Sequence, residues 1–337
     1  MVTGLLIFFL FLTISSYLWY RSSLLPLKES RLEEVKIKEN MTNSEISALL
    51  FEKGLIRSPL AFKIYGFLTK KYKSIKSGTY IISSELSLPE IFEILVKGKV
   101  AVYKVTIPEG LTIEETDDYL ARNYSRYGFK KGDFKEAVDN YYSELPEEIT
   151  KEFPQILNSV LEGIFLGDTY FLEKESPQKA LVEKMVNNFK EKILPVIKDK
   201  PRPEELRNSY EVLILASIVE KEAKTERDRK LVSGVFLKRL SQDDFLQSCA
   251  TVNYLLKEKK KRLTEEDLNI SSPYNTYKVK GLPKAPICSP SLESVKAVLN
   301  YKDSDYYYFL SDEEGRLYFS KTFDEHLETQ KRIWGGI

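Results

Sequence analysis

The chain opens on an unbroken apolar stretch and then settles into mixed patterns. Residues 2–20 carry no charged side chain, and residues 5–12 read LLIFFLFL. A stretch of that length is roughly 28 Å long as a helix, about the hydrocarbon thickness of a bilayer. Trp19 and Tyr20 stand where an interfacial belt stands, and Arg21 follows at once. The pattern predicts a retained single-span membrane anchor over residues 1–21. A cleaved signal peptide is the rival reading, but it wants a basic leading region and a small-x-small cleavage site, and neither is clear. Arg21, Lys28 and Arg31 all follow the span, a bias that by itself leaves the bulk of the chain in the cytoplasm.

Past a charged linker over 22–34, shorter periods take over. Val35-Lys36-Ile37 alternates like a strand. Thr42 with Glu45 three residues on has the capping-box pattern and opens a helix carrying Ile46, Leu49 and Leu50. Gly54 ends that helix as a C′ glycine does. Ser58-Pro59 begins a second helix with Phe62, Tyr65 and Phe67, and Gly78-Thr79-Tyr80-Ile81-Ile82 returns as a strand. Ser87-Leu88-Pro89-Glu90 starts another helix, stopped by Gly98 before a strand over 100–107. The strand–helix–helix–strand order, placed at 35–104, resembles the LysM-like module of cell-wall proteins. Any small α+β domain fits the same pattern.

After the turn Pro108-Glu109-Gly110 the pattern becomes helical, at 113–124 and 133–142, with Pro146 and Pro154 as punctuation. Motifs crowd between 161 and 334, so the main domain is set at 105–337. The expected class is α+β: an N-terminal transmembrane helix, a small LysM-like α+β module, then a mixed α/β main domain. A length of 337 residues suits more than one core. With 42% hydrophobic and 12% aromatic residues, disorder of the whole chain is excluded. The charges, 51 basic against 50 acidic, cancel to +1 and give no reason to expect a nucleic-acid partner. Two Cys and one His exclude a Cys-rich zinc site, a multi-His metal centre and a disulfide framework. Chemistry must then run mainly on carboxylates, hydroxyls and amides. The basic run at 257–262 reads as a solvated helix end or loop, with a glycan or lipid contact as the alternative.

The residues 211–227 read EVLILASIVEKEAKTER. At helical spacing Leu213, Ala216, Glu220 and Ala223 share one stripe, which aims a carboxylate at small and apolar side chains. Burial there disfavours the ionised form, the condition that a general acid at neutral pH needs. Periodicity does not separate Glu220 from Glu222, which lies on the neighbouring Leu215–Ile218–Val219 face. A boundary glutamate paired with a Lys or Arg gives the same pattern.

The octapeptide Leu215-Ala216-Ser217-Ile218-Val219-Glu220-Lys221-Glu222 resembles the signature of the endolytic murein transglycosylases, the YceG-like family. Collinear segments strengthen the likeness. Val105-Thr106-Ile107-Pro108-Glu109-Gly110 comes first, then Leu161-Glu162-Gly163 with Asp168-Thr169-Tyr170. Val235-Phe236-Leu237-Lys238-Arg239-Leu240, Leu246-Gln247-Ser248, Ser272-Pro273-Tyr274-Asn275-Thr276-Tyr277 and Gly281-Leu282-Pro283 follow in the family's order. Tyr307-Tyr308-Phe309 and the segment from Phe323 to His326 complete the series. The resemblance implies a membrane-anchored lytic transglycosylase acting on peptidoglycan glycan strands from the extracytoplasmic side. It would cut nascent strands between N-acetylmuramic acid and N-acetylglucosamine, form a 1,6-anhydro end and so terminate elongation. Peptidoglycan synthases become plausible neighbours, and no cofactor or metal is expected.

By that resemblance Glu220 is the catalytic acid and base. Gln247, Asn275 and Tyr277 have the hydrogen-bonding groups of a sugar cleft, and a backbone-satisfying role suits each as well. Glu162 is a second carboxylate, for substrate contact or for holding the Gly163 turn. Asp168 reads as a turn or cap residue, and His326 as a structural hydrogen-bonder rather than a base. The chain departs from the family's pattern at Cys249, where an Asp is usual, at Cys288 and at Gly167, where Pro is usual. Gly167 is expected only to loosen a turn. A Cys249–Cys288 disulfide and two isolated thiols both stay open. Two other activities also stay open: an idle glycan-binding scaffold, and a hydrolase using Glu220 with Glu162.

Overall fold

Local capping chemistry sets the first elements. The computed structural model describes residues 2–27, 31–98, 102–158, 161–173, 177–258, 260 and 262–335. The leading helix α1 covers Val2–Ser23, and β1 covers Leu32–Ile37. Thr42 accepts from the Glu45 N–H while Glu45 bonds the Thr42 N–H, a closed capping box that starts α2 at Asn43–Glu52. Ser58 caps α3, Pro59–Thr69, with Pro at its first position. Then come β2 at Gly78–Ser83, α4 at Leu88–Lys97 and β3 at Val102–Thr106. Gly98 ends α4 in the left-handed region, its N–H on the Ile94 carbonyl. Val100, the expected start of the last strand, lies outside the described residues.

The chain divides into two units. The first holds residues 1–106, 126–128 and 169–180; the second holds the rest. In the first, β1 pairs antiparallel with β2, placing Val35 opposite Tyr80, and β2 runs parallel to β3. A fourth strand, β4 at Thr169–Glu173, returns from far along the chain to pair antiparallel with β3, Val105 opposite Tyr170. Ile46, Leu50, Phe62, Ile82, Phe92 and Leu95 form the core of this unit, with the Phe62 and Phe92 rings 5.0 Å apart.

The second unit is mostly helical. It contains α5 (Ile113–Asn123), α6 (Asp133–Tyr141), α7 (Glu147–Glu152), most of α8 (Pro177–Lys192) and α9 (Leu194–Asp199). Its centre is α10, Ser209–Glu222, where every residue from Tyr210 to Val219 is buried. A helix apolar on all sides belongs in a core. Around it lie α11 (Glu226–Ser241), α12 (Cys249–Leu256), α13 (Glu265–Leu268) and α14 (Leu292–Leu299). The hairpin β5 (Tyr308–Ser311) and β6 (Leu317–Ser320), then α15 (Phe323–Trp334), close the unit. The fold is mixed α+β.

The membrane anchor expected over residues 1–21 is corrected, and with it the extracytoplasmic placement built on it. Among the described residues no helix is long and apolar enough to cross a membrane. The physical reason is the composition of α1. Its unbroken LLIFFLFL run spans about 12 Å as a helix against the ~30 Å required, and hydroxyl residues follow from Thr13 onward. Those hydroxyls turn inward: Thr13 bonds the Leu10 carbonyl, and Ser22 and Ser23 bond that of Trp19. The end of α1 is also engaged with protein, since Tyr20 and Leu24 pack on the first unit's core.

The basic run at 257–262 is a helix end. Lys257 terminates α12 in the left-handed region and pairs with Glu114 at 2.7 Å, and Lys260 pairs with Asp267 at 2.8 Å. Lys259 and Lys261 lie outside the described residues.

Candidate active site

The last turn of α10 presents Glu220, Lys221 and Glu222 in three directions. Glu220 turns toward the N-terminus of α14. Its Oε2 accepts from the Ser291 N–H at 3.0 Å, from the Ser291 hydroxyl, and from the Ser294 hydroxyl at 2.6 Å. Its Oε1 carries a longer contact, 3.4 Å, to Nη2 of Arg229 on α11. The Glu220 side chain is only 8% exposed and that of Arg229 14%. The surroundings therefore differ from the apolar stripe that periodicity predicts: hydroxyls, a helix N-terminus and a guanidinium meet this carboxylate. Ser291 is the N-cap of α14 and accepts from the Ser294 N–H, so one side chain both starts the helix and binds Glu220. Arg229 comes within reach because Thr225 restarts a helix directly after α10, accepting from the Asp228 N–H.

Lys221 points elsewhere, to Glu115 on α5 at 3.1 Å. Glu222 meets the N-terminus of α12. It accepts from the Ser248 hydroxyl at 2.5 Å and from the Ala250 N–H, and burial raises its proton affinity above the ordinary value. Beside it Cys249 Sγ lies 3.1 Å from Tyr277 Oη. Burial, then the Cys249 thiol, pushes the Tyr277 hydroxyl up. The structure thus places Tyr277 with Glu222 and Cys249, on the α12 side of the α10 terminus.

The other predicted residues are placed as follows. Gln247 sits at φ +51, its N–H on the Thr276 carbonyl, with an exposed side chain. Asn275 is fully buried; its Nδ2 donates to the Leu268 and Ile270 carbonyls at 3.0 and 2.8 Å, and its Oδ1 accepts from the Tyr277 N–H. Glu162 is buried under the N-terminus of α5, both oxygens on the Ile113 N–H at 3.0 and 3.3 Å. Desolvation pushes its carboxyl up to about 8, against the Ile113 N–H and Lys221, which pull it down. Asp168 receives Asn188 at 2.9 Å and pairs with Lys192. His326 stacks on Tyr308 with ring centroids 5.4 Å apart. Leu282 and Pro283 line an open cleft of about 560 Å³ with Arg207, Asn208 and Tyr210, at the far end of α10.

Both cysteines are free: Cys249 is exposed, and buried Cys288 donates to the Ser217 carbonyl at 3.3 Å. Gly167 does more than loosen a turn. A Cβ there would fall 2.5 Å from the Pro108 carbonyl oxygen, so only glycine lets the 108–110 turn pack this closely. Sequence reasoning missed Ser291, Ser294 and Arg229 as partners of Glu220. The available signals were the helix starts themselves, Pro290-Ser291-Leu292-Glu293 and Thr225 with Asp228.

A buried helix whose last turn docks one carboxylate on the N-terminus of a later helix is the central feature of the second unit. The YceG-like family profile matches residues 35–332, and the chain belongs to that family. It is similar to the endolytic murein transglycosylase of Streptococcus pneumoniae serotype 2 strain D39, 30% identical over 362 residues. That match covers 96% of this chain and 63% of the relative, so the chain spans less than two thirds of the pneumococcal protein. The endolytic murein transglycosylase of Bacillus subtilis strain 168 is 29% identical over 329 residues, covering 94% of this chain and 89% of the relative. Among solved structures, a YceG-like protein from Listeria monocytogenes matches with a TM-score of 0.55 and 30% identity, over 89% of this chain and all of that one.

Proposed function

We propose that the protein is an endolytic lytic transglycosylase of peptidoglycan, with Glu220 as its single acid and base. The observation that carries this reading is the asymmetry of the Glu220 carboxyl. Oε2 accepts from three donors of α14, while Oε1 has only the long contact to Arg229 among the described residues. One oxygen is fixed and the other is left to exchange a proton. The names of the relatives, both endolytic murein transglycosylases, support the substrate class.

In this mechanism Glu220 Oε1 gives its proton to the glycosidic oxygen between N-acetylmuramic acid and N-acetylglucosamine. Positive charge develops at the muramyl C1, as in other glycoside cleavage. The Glu220 carboxylate then takes the proton of the muramyl C6 hydroxyl, whose oxygen bonds C1 and closes the 1,6-anhydro ring. No water is consumed, and the proton lent at the first step is recovered at the second. An internal nucleophile gains effective molarity, so a second carboxylate to activate water is unnecessary. The chemistry calls on no metal or cofactor.

Gln247 and Tyr277 are the proposed sugar contacts; the exposed amide and the aromatic ring suit them to it. Glu162 and Asn275 contribute by holding the segments that line the site, through Ile113 and Tyr277 respectively. The β1–α2–α3–β2 order of the first unit supports reading residues 35–104 as a LysM-like glycan-binding module, with 105–337 as the catalytic part. Peptidoglycan synthases are the proposed neighbours.

Incubating the full chain with un-crosslinked glycan strands and weighing the fragments tests this function. Anhydro ends are expected. Reducing ends would make the protein a hydrolase, and unchanged strands a scaffold.

A further inference from the structure

The loop between α11 and α12 exposes Gln247 while burying both of its neighbours, Leu246 and Ser248. Gln247 also has a backbone that its side chain does not favour, with φ at +51. Four other non-glycine residues take positive φ among the described residues, and each has a local reason. Asn40 and Asp243 are of the types that enter this region most readily, and Lys70 and Lys257 close helices as C-caps. Gln247 belongs to neither group. A turn that needed only this backbone would be served at lower cost by glycine. What glutamine adds there is an exposed amide.

An unfavoured backbone persists only where its surroundings hold it. Here the holding group is Arg239 of α11, 6% exposed. Its Nη1 donates to the Leu246 carbonyl at 2.7 Å, and that carbonyl belongs to the peptide that enters Gln247. Its Nε and Nη2 donate to the Tyr307 carbonyl at 3.1 and 2.8 Å, which fixes the guanidinium. The Arg239 carbonyl accepts from the Asp244 N–H at 3.0 Å, and the Tyr307 hydroxyl donates to Asp244 Oδ2 at 2.6 Å. Beyond the turn, the Gln247 N–H donates to the Thr276 carbonyl at 3.1 Å and the Ser248 N–H to the Thr276 hydroxyl at 3.0 Å. One buried residue therefore holds the loop twice, through its carbonyl at Asp244 and through its guanidinium directly before Gln247. A rigid fork reaches two carbonyls at once; an ammonium on a flexible stem does not fix them in one geometry.

We propose, resting on the reading of Gln247 as a sugar contact, that Arg239 is a positioning residue which fixes the Gln247 amide in its binding place before the sugar arrives. Order set in the free protein is order that binding need not supply. Arg239 touches no atom of the substrate; it acts only through the loop.

The test is strand cleavage by the full chain, with urea unfolding midpoints measured alongside. The variants are Gln247→Gly, Gln247→Ala, Arg239→Lys, and Arg239→Lys combined with Gln247→Gly. Both Gln247 variants lack the amide and should raise KM by about three- to tenfold, with kcat little changed. Gln247→Gly should unfold at a higher urea concentration than Gln247→Ala, since glycine takes a φ of +51 freely. Arg239→Lys should raise KM by a similar factor on its own, and add nothing in the Gln247→Gly background. An equal rise in both backgrounds would mean that Arg239 acts elsewhere. A lowered midpoint with an unchanged KM would make Arg239 a structural residue only, and equal midpoints for the two Gln247 variants would show an unstrained turn. Each of these results overturns the proposal. Should Arg239→Lys fail to fold, Tyr307→Phe frees Asp244 from the same clamp with the buried cation kept, and the same comparison of backgrounds decides. If the two Gln247 variants leave KM unchanged, the reading of Gln247 as a sugar contact fails and the proposal falls with it. If they raise KM and Arg239→Lys does not, only the present inference fails.

Discussion

Glu220 and Glu222 stand two residues apart at the end of one helix, and each faces the N-terminus of another. Glu220 meets α14 through Ser291 and Ser294, and Glu222 meets α12 through Ser248 and Ala250. The resemblance ends there. Around Glu222 are Cys249 and Tyr277, and burial makes its proton hard to lose. Around Glu220 are Arg229 and the backbone of Gly110, where a Cβ would sit 3.0 Å from Glu220 Cγ. A carboxyl that only retains its proton suits a structural tie, whereas an acid–base catalyst must both give and retake one. On the proposed assignment of Glu220 as the acid and base, burial alone is a poor guide to which carboxylate does chemistry.

The largest effect expected from this contrast is on rate. Glu220→Gln should lower strand cleavage by on the order of 10³, within the usual range for removing a general acid, while Glu222→Gln should keep it within about tenfold. Fragment yield against time measures both, and the reverse result would exchange their roles. Next comes the scaffold on the Glu222 side. Asn275→Ala leaves the half-buried Leu268 and Ile270 carbonyls without their donor and frees the Tyr277 N–H. It should cost about 2–4 kcal/mol in urea unfolding; a loss below 1 kcal/mol would show that water replaces the amide there.

On the Glu220 side, Gly167→Ala forces the Pro108–Glu109 peptide away from its place. A loss of about 1–3 kcal/mol is expected, with a fall in kcat larger than any change in KM. Unchanged kinetics would show that the turn's position does not matter to Glu220. Glu162 supplies a smaller, pH-dependent effect. An acid whose proton is held more tightly in the folded chain stabilises the fold below its unfolded value, and that contribution is lost as pH rises through the folded value. For Glu162 the window runs from about 4.5 to about 8. Wild type should therefore lose more stability between pH 5 and 9 than Glu162→Gln, as unfolding midpoints at the two pH values would reveal. Parallel losses would mean that the Ile113 N–H fully offsets the burial. Smallest of all should be Cys249→Asp, which restores the residue usual in the family and should change the rate less than about threefold.

Much of the fold was legible where local chemistry decides it. Thr42 with Glu45, Ser58-Pro59, Ser87 with Glu90 and Gly98 marked helix ends that the structure shows within a residue or so. The pairing of β4 with β3 was not legible, because more than sixty residues separate them and short strands carry no register over that distance. The anchor was misread for a related reason. An uncharged stretch looks uniform in a charge count, which passes over the hydroxyls of Thr13, Ser22 and Ser23 on carbonyls of their own helix, while the docking of Tyr20 is set by what the helix meets. In the site, the motif around Glu220 was readable as family likeness. The stripe of Leu213, Ala216 and Glu220 was not enough to describe its environment, since Ser291 and Arg229 come from later helices. Buried Asn275 and Glu162 look the same in sequence whether they touch a sugar or a backbone N–H.

The central claim is that Glu220 closes an internal ring rather than activating water. The most direct measurement is cleavage of un-crosslinked glycan strands by the full chain in water enriched in heavy oxygen, with the new ends weighed. New muramyl ends that carry no heavy oxygen and are lighter than hydrolysed ends by one water are predicted. One heavy oxygen at each new end would contradict the account.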